Sequence, residues 1–206
     1  MRTLVIETST AACSVALIES GTVIAAAHEI VGRGHAERLV PMIAELPGGG
    51  RAARILVDCG PGSFTGIRVG IAAARGLALG WGAIASGYSS LALVAASGFA
   101  AYPGWTSLAV VLEGGHGEVF MQAFNAPLTP LAAFVSAKPD AAIAALGGRP
   151  AIGNGIRFLG ETAGAPYVDA LPRAADAVLL PSTVTDLPPR PIYGRAPDAR
   201  PLPIPA

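Results

Sequence analysis

The sequence is poor in charge and almost devoid of lysine. Only 14% of its 206 residues are Asp, Glu, Lys or Arg, the two signs cancel at 14 each, and Lys138 is the single lysine. A broad nucleic-acid footprint needs clustered cations, and nothing here supplies one. Cysteine is scarce as well. Cys13 and Cys59 are too few for a disulfide framework or a Cys-rich metal site. Each is expected to behave as a small buried hydrophobe in a reducing compartment. His28, His35 and His116 form no His-Glu-x-x-His set. His35, at a helix start, is expected on the surface or capping. Long apolar runs are also missing. Met1 to Glu7 lacks the pattern of a signal peptide, and the most apolar region, Ile67 to Trp81, is short and interrupted by Arg68 and Arg75. No membrane association is expected, and the expected location is cytoplasmic.

Hydrophobic residues make up 52% of the chain, which excludes a solvated, disordered polymer and is enough for one large or two small domains. Leu4–Ile6, Cys13–Ile18 and Thr22–Ala27 are apolar runs separated by turn-prone residues, the pattern of an antiparallel meander. Leu39, Met42, Ile43 and Leu46 then fall on one helix face, and Pro41 within that pattern predicts a kink or a late start. Arg54–Asp58 reads as a strand, Ser63–Trp81 as a helix, Ala83–Ala85 as a strand and Ser89–Ala96 as a helix. This β-β-β-α-β-α-β-α order predicts a mixed sheet covered by helices, the ribonuclease-H-like arrangement.

Tyr102-Pro103-Gly104 marks the expected boundary, giving units 1–101 and 102–206. Leu108–Leu112, Glu118–Phe124 and Leu131–Val135 suggest a second meander, Asp140–Leu146 a helix, and Ala151–Gly155 a strand entering a turn. Glu113 and Glu118 are expected to flank a hairpin. Ten of the eighteen prolines lie from Pro166 onward, so that segment is expected to wrap over a surface.

The most distinctive string is Gly60-Pro61-Gly62-Ser63-Phe64-Thr65-Gly66-Ile67-Arg68-Val69-Gly70. It is neither a Walker A loop nor a dinucleotide fingerprint, because no Gly-Lys-Ser/Thr follows and Thr65 stands at the third glycine position. Its spacing fits an anion-holding loop and a plain tight turn equally well. Gly66, Gly70 and Gly76 weaken the helix that follows, and the expected compensation is a closely packed backbone. That backbone belongs either to the chain's own sheet or to a partner helix; the spacing does not choose. No nucleophile, base and orienting group assemble: Ser63 lies outside a Gly-x-Ser-x-Gly elbow, and Asp58, ending a strand before the glycine loop, has no evident partner.

Together, Met1 to Thr10 with Cys13-Ser14-Val15-Ala16-Leu17, then His35 to Pro41, then Gly60 to Gly70 with Arg75-Gly76-Leu77-Ala78, resemble the TsaB (YeaZ) family. The later half is similar more loosely, through Gly117 to Phe120, Gly153-Asn154-Gly155 and Pro191 to Arg195. The resemblance implies an α/β, actin/Hsp70-like (ASKHA) fold of two ribonuclease-H-like subdomains, the second shortened. It implies a role in adding threonylcarbamoyl to the adenosine 3′ of the anticodon in tRNAs reading codons that start with A. In such a family the transfer belongs to the catalytic paralogue TsaD, which carries the metal. The ATPase TsaE joins the pair, and a separate enzyme makes threonylcarbamoyl-adenylate. Two departures stand out. Glu7 replaces the usual Asp, implying displacement of any phosphate-linked metal, and Glu113-Gly114-Gly115 replaces Asp-Ala-Arg, removing a planar cation.

The expected role is thus a scaffold with no catalytic residues, metal or intrinsic cofactor of its own. The expected partner interface comprises Leu39, Met42, Ile43 and Leu46 on one helix with Gly66, Ile67, Gly70, Ile71 and Ala74 on the next. The same surface would form a homodimer when the partner is absent. Thr8, Ser9, Gly60, Gly62 and Ser63 are candidate nucleotide or anion contacts, and ATP or ADP would sit at the joint of the complex. Two alternatives remain. One is an enzyme, either an ATPase or a peptidase. The other is direct tRNA contact through Arg190, Arg195 and Arg200, against an expectation that tRNA is met only through the complex.

Overall fold

The computed structural model describes residues 1–160 and 166–194. The chain opens with a meander of β1 (Arg2–Glu7), β2 (Ala12–Glu19) and β3 (Thr22–Ile30). It continues through α1 (His35–Glu45), β4 (Arg54–Asp58), α2 (Phe64–Trp81), β5 (Ile84–Tyr88) and α3 (Ser90–Ala101). The element order matches the one expected from runs and breakers. α1 starts at His35 and runs through Pro41, so the late start is corrected. β5 ends at Tyr88 rather than Ala85, because its buried half, Ser86 to Tyr88, carries small and polar residues that hide the apolar signal.

The second half holds β6 (Ser107–Gly115), β7 (Glu118–Asn125), β8 (Thr129–Pro130), β9 (Val135–Ala137), α4 (Pro139–Leu146), β10 (Ala151–Ile152) and β11 (Tyr167–Val168). The strand expected over Leu131–Val135 is corrected. Leu131 N–H still donates to the Ala123 carbonyl at 2.9 Å, but Leu131 is 44% exposed and ladder pairing resumes only at Val135.

Two sheets result, one in the order β3-β2-β1-β4-β5 and one in the order β11-β10-β6-β7-β8 with β9 also paired to β7. Side-chain alternation along β1 sends Leu4 and Ile6 to one face and Val5 to the other, and both faces are covered. Leu39, Met42 and Ile43 of α1 and Ile67, Ile71 and Ala74 of α2 cover the first. Ala92, Leu93 and Ala96 of α3 cover the second. The opposite side of α3, Leu91, Val94 and Ala95, packs on Leu108, Val110 and Leu112 of β6. Lying between two sheets, α3 has no solvent face along most of its length and is accordingly apolar all round. α4 closes the far side through Ala142 and Leu146.

The described part of the proline-rich segment, residues 166–194, does wrap over a surface. Ala174 and Ala177 pack under the first sheet beside α3, and Gly87 and Leu187 exchange backbone hydrogen bonds at the β5 edge. Ile192 N–H then donates to the Cys59 carbonyl at 2.7 Å, and Ile192 joins the α1–α2 side of the core. Arg54 secures the crossing by donating to the Ser86 hydroxyl at 3.0 Å and to the Thr185 carbonyl.

The glycine question raised by α2 resolves inward for two of its members. A methyl at Gly66 would overlap the Thr8 carbonyl oxygen, and one at Gly70 the Thr8 hydroxyl. In the preceding loop, a methyl at Gly62 would overlap the Ser9 carbonyl. The approach is a bonded one: Thr8 Oγ1 donates to the Gly66 carbonyl at 2.9 Å, and Ser63 N–H donates to the Ser9 carbonyl at 2.6 Å. Gly76 instead has open space at its Cβ position. Gly66→Ala should therefore destabilise the fold by about 1–3 kcal/mol through overpacking, whereas Gly76→Ala should stabilise it by about 0.5–1 kcal/mol through helix propensity. Denaturant midpoints measured at unchanged m-value separate the two outcomes.

Candidate functional site

The parallel pairing of β1 with β4 sets Ile6 opposite Val57, so Glu7 and Asp58 end side by side at the strand C-termini. Both are fully buried. Glu7 is well supplied with donors: Oε1 accepts from Ser9 N–H at 2.9 Å and Ser9 Oγ–H at 2.6 Å, and Oε2 accepts from the Tyr88 hydroxyl at 2.9 Å. Asp58 is not. Its Oδ1 accepts from Gly60 N–H at 2.8 Å, while its Oδ2 is buried with no hydrogen-bond partner. Burial raises the pKa of both carboxyls, and the nearby Glu7 charge pushes Asp58 further up. Donors on both oxygens favour the ionised form of Glu7, so Asp58 is the acid that keeps a proton.

This arrangement makes a testable statement about stability. In the unfolded chain Asp58 would ionise near pH 4, but in the folded chain it stays protonated to higher pH. Stability is consequently lost as pH rises above the unfolded value. Asp58→Asn should raise the melting temperature at pH 7, with the gain shrinking to nothing as pH falls to about 4. Paired thermal melts across that range measure it.

Above the acid pair lies a cleft of about 760 Å³ between the two sheets. The first half contributes Ser9 and Thr10 from the β1–β2 turn, Arg33 from the β3–α1 loop, and Ser63, Phe64 and Arg68 from the start of α2. The β6–β7 hairpin, tipped by His116, and Asn154 face them, and Tyr193 closes one side. The Arg68 guanidinium stacks 3.6 Å from the Phe64 ring centroid and donates to the Tyr193 hydroxyl at 2.8 Å. Asn154 sits in the Gly153-Asn154-Gly155 turn, and its Oδ1 accepts from Glu113 N–H at 3.2 Å. Glu113 and Glu118 do flank the hairpin; Glu113 pairs with Arg157 across to the neighbouring loop.

The structure moves several sequence-level assignments. Leu39, Met42, Ile43, Leu46, Gly66, Ile67, Gly70, Ile71 and Ala74 are all buried within the chain's own core, so they are corrected from an interface to a packing role. Their apolar periodicity marks the face that meets the sheet, and the outward faces of the same helices are other residues. Of the candidate anion contacts, Ser9, Gly62 and Ser63 line the cleft, whereas Thr8 is wholly buried and Gly60 sits against Ile67. Ser63 also caps α2, its Oγ accepting from Gly66 N–H at 3.2 Å. His35 is corrected from surface to interior: it is 3% exposed, with Nε2 3.2 Å from the Ala12 carbonyl oxygen. Cys13 and Cys59 are buried free thiols, and burial pushes them up to about 11 and about 12. Arg195 and Arg200 lie outside the described residues. Sequence reasoning missed Tyr88 as the partner of Glu7, and Arg33 and Tyr193 as cleft residues, because all three reach the site across long sequence separations.

Among the described residues no three His, Cys, Asp or Glu side chains come together as a metal set, and no helix is long and apolar enough to cross a membrane.

Two mixed sheets separated by a helical layer, with a cleft bounded by the turns after β1 and β6, define an ASKHA-type, actin/Hsp70-like protein. The family model described as "TsaD: tRNA N6-adenosine threonylcarbamoyltransferase" matches residues 25–129, just over half of the chain. The tRNA threonylcarbamoyladenosine biosynthesis protein TsaB of Escherichia coli (strain K12) is 38% identical over 125 residues, which is 58% of this chain and 53% of that protein. Such alignments span about half the length of the curated relatives. The structure of YeaZ from Pseudomonas aeruginosa superposes with a TM-score of 0.76 at 26% identity, covering 93% of this chain and 99% of that one. The ethanolamine utilization protein EutJ of Carboxydothermus hydrogenoformans, 12% identical with a TM-score of 0.52 over 87% of this chain and 89% of its own, shares the fold. The chain belongs to the TsaB (YeaZ) family.

Proposed function

We propose that this protein acts in the formation of threonylcarbamoyladenosine in tRNA as a scaffold subunit that contributes no catalytic group. It pairs with a TsaD-type paralogue that carries out the transfer, a TsaE-type ATPase joins the pair, and tRNA is met through the assembly. Without the paralogue, two copies of this chain pair through the same surface.

The observation that carries this reading is the outward face of α1 and α2, which lie side by side over the first sheet. Val40 is 54% exposed on α1, and Leu79 is 87% exposed on α2. Around them small exposed positions, Ala44 on α1 and Ala72, Gly76 and Gly80 on α2, lie among the charged Glu37 and Arg75. Nothing lies within 4 Å of the Cβ position at either Gly76 or Gly80, so a facing helix backbone can come close. Two such helices meeting two from a partner pack as a four-helix layer at about 8–10 Å between axes. An interface of ordinary size buries about 800 Å² on each side.

Gly76→Trp and Leu79→Glu change only this outward face. Each variant should keep the parent's circular dichroism and cooperative unfolding, with Gly76→Trp no less stable than the parent, lower affinity for the TsaD-type partner by at least tenfold, and reduce reconstituted tRNA modification in step. Parental binding and modification by both folded variants would overturn the assignment.

A further inference from the structure

Two of the chain's distinctive strings meet at one point on the surface. Phe64 and Arg68 come from the Gly60–Gly70 string at the start of α2, and Tyr193 comes from Pro191-Ile192-Tyr193-Gly194. The Arg68 guanidinium lies 3.6 Å from the Phe64 ring centroid and 5.7 Å from that of Tyr193, and the two rings are 6.0 Å apart. Although they contact one another, Phe64 is 58% and Tyr193 54% exposed. Neighbouring rings left open to water offer apolar surface to a second molecule. Tyr, Phe and Arg together are also the residues enriched at interface centres.

The cluster is set before any partner arrives. On one side of Tyr193, Ile192 N–H donates to the Cys59 carbonyl at 2.7 Å. On the other, Gly194 lies so close to Phe120 and Phe134 that a methyl there would overlap both rings. Phe64 opens α2 directly after the Ser63 cap. Little ordering is left to oppose binding.

Charge states what the cluster receives. Arg68 Nε and Nη2 donate to the Tyr193 hydroxyl at 3.2 and 2.8 Å, which leaves the Nη1–Nη2 edge open. Among the described residues Arg68 has no carboxylate partner, and the nearby Glu113 is taken by Arg157. An open guanidinium edge fits a carboxylate through two parallel hydrogen bonds.

Position states who presents it. From Arg68 to Leu79 the helix turns to within about 20° of the same direction and advances about 16 Å. A partner seated on Leu79 therefore reaches Arg68 along one stripe of α2.

We infer that the outward face of α1 and α2 continues onto the Phe64–Arg68–Tyr193 cluster, and that this cluster anchors the TsaD-type partner by taking one of its Asp or Glu side chains on the open edge of Arg68. Apolar groups beside that acid cover the two rings. The inference rests on the function proposed above and adds the anchor and its chemistry.

Titration calorimetry of the purified full chain with the TsaD-type paralogue tests it. Arg68→Gln should lower affinity at least tenfold, and Arg68→Lys and Tyr193→Leu at least fivefold, because an ammonium cannot reproduce the fork. Arg173→Gln, exposed beside Ala174 on the opposite face of the first sheet, should bind as the parent does. Circular dichroism reports the folding of each variant. Arg68→Glu should bind weakest, and when exposed acids of the paralogue are changed to Arg one at a time, one change should restore its affinity at least tenfold. Parental affinity in folded Arg68→Gln and Tyr193→Leu, or the absence of any restoring acid, overturns the inference. So does a loss confined to self-association, which would give the cluster to a second copy of this chain. If Gly76→Trp and Leu79→Glu weaken binding while Arg68→Gln and Tyr193→Leu do not, the anchor falls and the scaffold reading stands. Parental binding by all four overturns both.

Discussion

The structure depends on one close approach, Thr8 and Ser9 lying directly on Gly62, Gly66 and Gly70. A side chain at any of the three would enter a carbonyl or hydroxyl of the turn after β1. Because the turn is seated there, Ser9 can direct both its N–H and its hydroxyl at Glu7, and Glu7 in turn receives Tyr88 from β5. Lift the turn by the width of a methyl group and Glu7 loses two of its three donors. The consequence reaches the neighbouring acid, since a Glu7 short of donors would compete with Asp58 for the proton. A packing constraint in a helix thereby sets the protonation of two core carboxyls.

The same approach shapes the cleft. Ser9 and Thr10 form its floor only because Thr8 is pinned beneath them, and Ser63 opens α2 beside them only because its N–H is held by the Ser9 carbonyl. The other wall is set by β6 through the Gly153-Asn154-Gly155 turn, where Asn154 reaches Glu113 and steadies the hairpin that ends at His116. The proline-rich segment links the two. It crosses the edge of β5 at Leu187, enters the first core at Ile192, offers Tyr193 to Arg68, and lays Gly194 against Phe120 and Phe134 of the second half.

Most of the fold was legible because its signals are local. Apolar runs broken by Glu19-Ser20-Gly21 and Pro47-Gly48-Gly49-Gly50 give the meander and the first helix, and the order of elements then restricts the topology. Legibility failed where an element is defined by something distant. β8, β9 and β11 are two or three residues long and exist by pairing rather than by pattern. His35 looks like an exposed helix-start residue until β2 brings the Ala12 carbonyl to it. Asp58 had no visible partner because Glu7 stands 51 positions earlier and only the parallel β1–β4 pairing unites them. Tyr193, 125 residues from Arg68, was readable only as part of a family string.

The treatment of α2 shows how one residue type can carry two meanings in one helix. Gly66 and Gly70 share a face at four-residue spacing and meet Thr8, the first at its carbonyl and the second at its hydroxyl. At 3.6 residues per turn, Gly76 lies about 120° round the axis from Gly70, so it cannot belong to that contact. Gly80 continues the face of Gly76, and both look onto open space. Helical geometry alone therefore separates an inner pair, required by the chain's own turn, from an outer pair available to another backbone. Reading the glycines as a single stripe merged the two and assigned the inner pair to a partner. Exposure corrects that assignment: the outward face of α2 gathers Ala72, Gly76, Leu79 and Gly80, Val40 is exposed on α1, and it is these positions that leave apolar surface to be covered.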